Sequence, residues 1–170
     1  MQPTPWPRRS LALVFLIAAS YVFLTDEVYF APKNVQITAL DLRSLDGLPV
    51  SAQPLQGKPV VLNFWAPWCA PCRLEIPWLQ RLQHDHPEVA VIGVEDDADQ
   101  YQQAKSLVAQ TGLTYLMVRP NDALRSKFGH VVGLPTTLYI SASGNVVHTV
   151  SGVIPESVMA KYLHDAASAH

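Results

Sequence analysis

The chain has 170 residues, of which 49% are hydrophobic and 15% charged, and its formal net charge is −2. A chain of this length accommodates one domain with a substantial apolar core. Without an excess of cationic residues it has no basic surface to neutralise phosphates, so nucleic acid is not an expected partner. Its two cysteines also exclude a framework of several structural disulfides.

The N-terminus has the pattern of a membrane-targeting segment. An arginine pair ends residues 1–9, no charged residue occurs in 10–25, and two acidic residues follow. The apolar run is short for a spanning helix, which needs about 20 residues, and also fits a signal-peptide core. No small-residue cleavage site follows the run, which favours an uncleaved anchor. We therefore expect a cytoplasmic N-terminus (1–9), an anchor in the inner membrane or a signal peptide (10–25), a linker (26–34) and a globular domain outside the cytoplasm (35–170).

Strand and helix patterns alternate through the globular part. Alternating residues from Val35, with a turn at Asp46-Gly47, predict an N-terminal β-hairpin. The continuous apolar run from Val60 to Trp65 predicts a central strand buried on both faces. Such an order predicts an α/β fold with a mixed central sheet and helices on both faces. Further strands are expected at Val89–Val94, Tyr115–Val118, Thr136–Ile140 and Val146–Val150, and helices after Cys72, Asp97, Asn121 and Pro155.

Two polar clusters have simple interpretations. Asp97 and Gln100 resemble a capping box, so the acidic run from Glu95 to Asp97 is interpreted as a helix cap plus solvated charge. His84 and His86 are the only clustered histidines, and they are expected in a solvated turn at the end of a helix. We therefore expect no metal site.

Cys69 and Cys72 lie where the central strand passes into a helix. The first amides of a helix and its dipole stabilise an anion, which makes Cys69 the candidate nucleophile. Cys72 lies one turn further along and can close a disulfide on Cys69, so the pair can carry two electrons. A purely structural bridge is one alternative, although so short a loop constrains the unfolded chain little. A zinc site is the other, but zinc requires more ligands than this motif supplies.

The run from Asn63 to Pro77, with Gly133–Thr137 late in the chain, resembles the TlpA/ResA-like thioredoxins. These are membrane-anchored thiol-disulfide oxidoreductases that work outside the cytoplasm. The resemblance covers about residue 35 to the C-terminus. It implies a thioredoxin fold with an N-terminal β-hairpin and an extra helix–strand insertion in the centre. In this family the late proline is cis and lies against the disulfide, which implies a cis peptide bond before Pro135.

The resemblance also implies a role for Glu75, because the family carries a glutamate in the first helix near the cysteines. Cytosolic thioredoxins have a buried aspartate at the position of Asn63, which cannot titrate, so proton handling shifts to Glu75. A sheltered carboxylate one turn after Cys72 would have a raised pKa and could accept the proton of Cys72. The alternative is an ordinary solvated glutamate.

Four residues are expected to contact the substrate: Trp68, Pro71, Leu134 and Pro135. Trp68 would offer a flat apolar surface, and the Leu134 backbone would pair with an extended peptide. Family members specialised for cytochrome c maturation often have an acidic residue after the cis-proline. Here Thr136 takes that position, which weakens this assignment.

The expected activity is that of a protein-disulfide reductase. Cys69 attacks a substrate disulfide, Cys72 resolves the mixed disulfide, and a membrane thiol donor returns the electrons. No cofactor is expected besides the Cys69–Cys72 redox disulfide. The expected partners are disulfide-containing extracytoplasmic proteins, and the chain is expected to be a monomer. The alternatives are a disulfide oxidase or isomerase, and a chaperone that holds a metal or cytochrome apoprotein without turnover.

Overall fold

The computed structural model describes residues 33–128, 131 and 133–169. The predicted cytoplasmic N-terminus and the anchor at 10–25 lie outside the described residues. Within the described ranges, no helix is both long enough and apolar enough to cross a membrane.

In the described part of the chain, seven strands form one mixed sheet with β3 near its centre. Strand β3 pairs in parallel with β4 and antiparallel with β6, and every residue of β3 and β4 is buried. The predicted central strand is therefore confirmed. The sheet order is β2-β1-β5-β4-β3-β6-β7. The strands are β1 (Leu42–Ser44), β2 (Pro49–Val50), β3 (Val60–Trp65), β4 (Ala90–Glu95), β5 (Leu116–Arg119), β6 (Thr136–Ile140) and β7 (Val146–Ser151).

Apolar side chains cover both faces of the sheet. Alternate residues of a strand point to opposite faces, and the odd-numbered Val61 and Trp65 belong to one core cluster while Leu62 and Phe64 belong to another. The first cluster includes side chains of α1, α2 and α4, and the second includes side chains of α3. The helices are α1 (Ala70–Asp85), α2 (Tyr101–Thr111), α3 (Asp122–Phe128) and α4 (Glu156–Ser168).

The N-terminal β-hairpin is present, but its first strand is shorter than predicted. Gly47 makes the turn with φ +83°, and its N–H donates to the Ser44 carbonyl at 2.8 Å. The residues predicted to begin this strand include a 3₁₀ turn, Ile37–Ala39. Buried Ile37 and Leu40 are three residues apart, a spacing that suits one turn of a 3₁₀ helix and breaks the period of two that a strand requires.

Helix α2 ends at Gly112, as predicted. Gly112 has φ +65°, and its N–H donates to the Val108 carbonyl at 3.1 Å. A left-handed residue just after the last turn is a common helix end, and glycine adopts it without steric cost.

Gly112→Ala tests this helix end. A Cβ at Gly112 would meet no atom within 4 Å, so only the backbone conformation is strained. We expect the free energy of unfolding to fall by roughly 1 kcal/mol, measured by urea denaturation. Gly112→Asn is the control and should lose less, because asparagine tolerates this conformation better. An alanine variant as stable as the wild type would contradict the expectation.

Candidate active site

Cys69 and Cys72 form a disulfide at the junction of β3 and α1. Cys69 is the N-cap of α1, and its Sγ accepts the backbone N–H of Cys72 at 3.2 Å. This places the Cys69 sulfur at the positive end of a 16-residue helix. A thiolate there is stabilised by the unsatisfied amides and the helix dipole, as the sequence predicted.

The two sulfur-bearing residues are almost buried, whereas the residues around them are exposed. Cys69 and Cys72 are 3% and 1% exposed. Ala70 and Pro71 between them are exposed, and Trp68 before them is 62% exposed. The disulfide is therefore covered from solvent, while a rim of exposed residues around it, Trp68, Ala70 and Pro71, is available to a large substrate.

Glu75 is buried beneath the disulfide end of α1, with 1% of its surface exposed. It follows Cys72 by three residues, so the two side chains are neighbours on one helix face. Burial raises the pKa of Glu75 to about 7, while the Ile154 backbone and the Asn63 side chain lower it in part. The alternative of a solvated glutamate is therefore wrong, and a buried carboxylate with a raised pKa lies one helical turn from Cys72.

Several polar atoms around Glu75 are buried and make no hydrogen bond of normal geometry within the described part of the chain. Neither oxygen of Glu75 completes a hydrogen bond of normal geometry with the described residues, and the hydroxyls of Tyr115 and Tyr139 also lack one. Burial first, and the Glu75 carboxylate second, raise the pKa of both tyrosines. Asn63, at the position of a buried aspartate in cytosolic thioredoxins, donates to Thr137 Oγ1 at 2.9 Å. Among the buried polar groups named here, Glu75 is the one that carries a carboxylate.

The late proline has the predicted geometry. The peptide bond between Leu134 and Pro135 is cis. Pro135 is buried and directly precedes β6, which pairs with β3, the strand that leads to Cys69. Leu134 is half-buried, and Pro135 is tied to the loop after β7 by a 2.8 Å hydrogen bond from the Gly152 N–H.

The acidic run at the end of β4 was predicted to be a helix cap plus solvated charge, and this is wrong for Glu95. Glu95 is completely buried, and its Oε1 accepts the Asp97 N–H at 3.1 Å. Asp97 does cap the following turn, since its Oδ1 accepts the Asp99 N–H at 3.1 Å. Its Oδ2 also accepts the indole N–H of Trp68 at 2.7 Å. Sequence reasoning missed this contact, although the parallel order of β3 and β4 brings their ends to the same edge of the sheet.

No metal-binding cluster of three or more histidine, cysteine, aspartate or glutamate side chains occurs within the described residues. Both histidines near the end of α1 contact neighbouring acidic side chains instead. His84 contacts Asp85 at 2.9 Å, and His86 contacts Glu88 at 3.2 Å.

Residues 34–149 match the model of the AhpC/TSA family. The chain belongs to this family. It is 33% identical over 158 residues to the thiol-disulfide oxidoreductase ResA of Bacillus anthracis, covering 89% of this chain and 91% of the relative. It is 35% identical over 107 residues to the thiol:disulfide interchange protein HelX of Rhodobacter capsulatus, covering 62% of this chain and 58% of the relative.

The fold of this AhpC/TSA-family chain is also similar to that of a solved structure. The crystal structure of a thioredoxin-family thiol:disulfide interchange protein from Chlorobium tepidum superposes with a TM-score of 0.67 at 27% identity. The superposition covers 78% of this chain and 98% of the other. The thioredoxin fold and the ResA-like class of thiol-disulfide oxidoreductase, both predicted from the sequence, are confirmed.

Proposed function

We propose that this ResA-like chain reduces disulfides in partner proteins outside the cytoplasm. The observation that carries the proposal is a disulfide at a helix N-terminus with a buried carboxylate, Glu75, one turn beyond it. A nucleophile, a resolving thiol and a proton acceptor are the three groups that disulfide exchange requires. The relatives named above are thiol-disulfide proteins, which supports the exchange chemistry.

The proposed cycle has two exchange steps. The Cys69 thiolate attacks one sulfur of the substrate disulfide, and the other substrate sulfur leaves as a thiolate. Cys72 then gives its proton to Glu75 and attacks Cys69 Sγ, which releases the second substrate sulfur. The substrate gains two electrons and the chain becomes the Cys69–Cys72 disulfide. The cycle uses no cofactor, because the two sulfurs hold both electrons.

The compartment and the electron source are inferred from the N-terminal sequence. An arginine pair before an apolar segment, with acidic residues after it, orients the following domain away from the cytoplasm. Thiols there tend to be oxidised, so a reductase requires a dedicated donor. We assign that role to a membrane thiol protein that reduces the Cys69–Cys72 bridge by the same exchange chemistry, with the chain acting as a monomer.

The residues between the cysteines favour the reductive direction. Ala70 and Pro71 add no cation beside Cys69, whose sulfur is stabilised by the helix N-terminus and the Cys72 N–H. Strong oxidants of this class owe their high potential to a more stabilised reduced form.

The reduction potential tests the proposed direction. The chain is equilibrated with a glutathione or dithiothreitol buffer, and its reduced fraction is measured by thiol alkylation. We expect the reduction potential of the Cys69–Cys72 pair to be about −200 mV or more negative. That range lies on the reducing side of dedicated disulfide-forming enzymes. A potential near −120 mV, as found for a strong periplasmic oxidant, would overturn the reductive proposal in favour of a disulfide oxidase.

A further inference from the structure

Trp68 is exposed yet held in one orientation. The ring directly precedes Cys69 and is 62% exposed, so it forms part of the rim of the disulfide. A partner-free tryptophan on a surface would exchange between rotamers. Here the indole N–H donates to Asp97 Oδ2 at 2.7 Å, and a hydrogen bond to a carboxylate is stronger than one to a neutral acceptor.

Asp97 is itself fixed by its neighbours. Its second oxygen, Oδ1, accepts the Asp99 N–H, and its own N–H donates to Oε1 of the fully buried Glu95. Its carbonyl accepts the Gln100 N–H at 3.0 Å. The carboxylate therefore has a defined position before any substrate arrives.

The same loop is tied to the strand that carries the cysteine motif. The N–H of Asp96 donates to the Trp65 carbonyl at 2.9 Å, at the end of β3. One side of the active-site rim is thus braced by the end of the neighbouring parallel strand. Bracing of this kind lowers the entropy that a flexible side chain loses when a substrate binds.

Exposed apolar side chains other than Trp68 occur on the helix that carries Cys72 and in the loop that hydrogen-bonds Pro135. Besides Trp68, the exposed large hydrophobic side chains of the described residues include Leu74, 62% exposed, in the first turns of α1 after Cys72. They also include Val153, 37% exposed, next to the glycine that hydrogen-bonds Pro135. A polypeptide that brings a disulfide to Cys69 would cover apolar groups on this rim, whereas a small disulfide would reach fewer of them.

We propose that Asp97 is a positioning residue. It holds the Trp68 ring in the orientation in which the ring forms an apolar contact surface for polypeptide substrates of the Cys69–Cys72 site. The proposal rests on the polypeptide substrate of the proposed function, and it adds how that substrate is distinguished from a small disulfide. Asp97 acts through Trp68 and touches neither sulfur. Its removal should therefore affect polypeptide disulfides more than small ones.

The experiment compares two substrates of the full chain in its reduced form. Second-order rate constants are measured in single-turnover exchange with insulin and with glutathione disulfide. A change in the reactivity of Cys69 affects both rate constants and cancels in their ratio. We expect Asp97→Ala to lower the insulin-to-glutathione ratio about fivefold, equivalent to one ordinary hydrogen bond. Asp97→Asn, which can still cap the following turn, should lower it as well.

Two further variants separate the Trp68 contact from other effects. In a W68F background, which lacks the indole N–H, D97A should leave the ratio unchanged. Asp99→Asn removes one negative charge from the same loop and should keep the wild-type ratio. The proposal is overturned if D97A does not change the ratio, if it lowers the ratio equally in the W68F background, or if D99N has the same effect as D97N.

A failure of the reductase proposal would be recognised separately. The exchange reaction is measured with a stoichiometric reduced chain, so it does not depend on the net direction of electron flow in the cell. A potential as high as that of a strong oxidant would contradict the proposed direction and leave the ratio test intact.

Discussion

Cys72→Ser is expected to stop the chain halfway through its reaction and to hold a substrate protein covalently on Cys69. Cys69 is the N-cap of α1 with its sulfur at the helix N-terminus, so it remains a competent nucleophile when Cys72 is replaced. Without the second thiol the mixed disulfide has no internal resolving group. Cys69→Ser is expected to reduce exchange to the background rate and to trap no protein. Non-reducing electrophoresis and mass spectrometry of the adduct measure both outcomes.

The two serine variants control for each other. Each removes the same short bridge, so a loss of stability would affect both, whereas the trapped adduct should occur only with Cys72→Ser. Dithiothreitol should release the trapped protein, and the released protein identifies the substrate. Undiminished turnover by Cys72→Ser would contradict the two-step cycle, and trapping by Cys69→Ser alone would reverse the assigned roles.

The centre of the site could be predicted because its signals are local. A continuous apolar run ends at Trp65, two thiols follow at the start of a helix, and a late proline precedes a β-rich segment. Each signal depends on a few adjacent residues, and the resemblance to ResA-like thioredoxins supplied the cis geometry at Pro135. The burial of Glu75 followed from the same resemblance together with its place one turn after Cys72.

The parts that sequence reasoning missed depend on contacts between distant segments. The residues from Val35 to Leu42 look like an alternating strand, but the adjacent apolar pair at Ala39 and Leu40 breaks the alternation and part of the segment forms a 3₁₀ turn. The acidic run that begins with the last residue of β4 is polar in composition, yet that residue, Glu95, is completely buried. Local composition does not show which carboxylate faces the core.

The contact between Trp68 and Asp97 also depends on segments that are distant in the sequence. The two residues are 29 positions apart, and they meet only because β3 and β4 lie side by side in parallel. The buried hydroxyls of Tyr115 and Tyr139, whose pKa values the Glu75 carboxylate raises, carry no local signal either. Their position near Glu75 can be recognised only when the order of the strands in the sheet is known.

Glu75→Gln is expected to stabilise the oxidised chain at alkaline pH and to have little effect at acidic pH. Burial raises the pKa of Glu75 from 4.5 to about 7, so the folded chain holds this proton more tightly than the unfolded chain. The stability that comes from this preference is complete below pH 4.5 and is lost as the pH rises to about 7. At about 1.36 kcal/mol for each pKa unit, the wild type should lose roughly 3 kcal/mol relative to E75Q by pH 8.

Urea denaturation of the two proteins from pH 4.5 to pH 8 measures this difference. Glu88→Gln is the control, because Glu88 is exposed and its pKa is lowered, first by a hydrogen bond to its own backbone. A lowered pKa makes stability depend on pH only in the more acidic range, so above pH 5 the E88Q curve should run parallel to the wild-type curve, with at most a constant offset. Equal pH dependence of the wild type and E75Q would show that Glu75 does not bind its proton more tightly in the folded chain.

The same substitution tests the role of Glu75 in the reaction. If Glu75 accepts the proton of Cys72, the rate of mixed-disulfide resolution should rise through a step near pH 7 in the wild type, and this step should be absent in E75Q. Stopped-flow release of substrate from the Cys69 adduct measures this rate. Loss of the stability difference and loss of the kinetic step are separate outcomes. A buried glutamate with a raised pKa but an unchanged rate profile would belong to the fold and not to the mechanism.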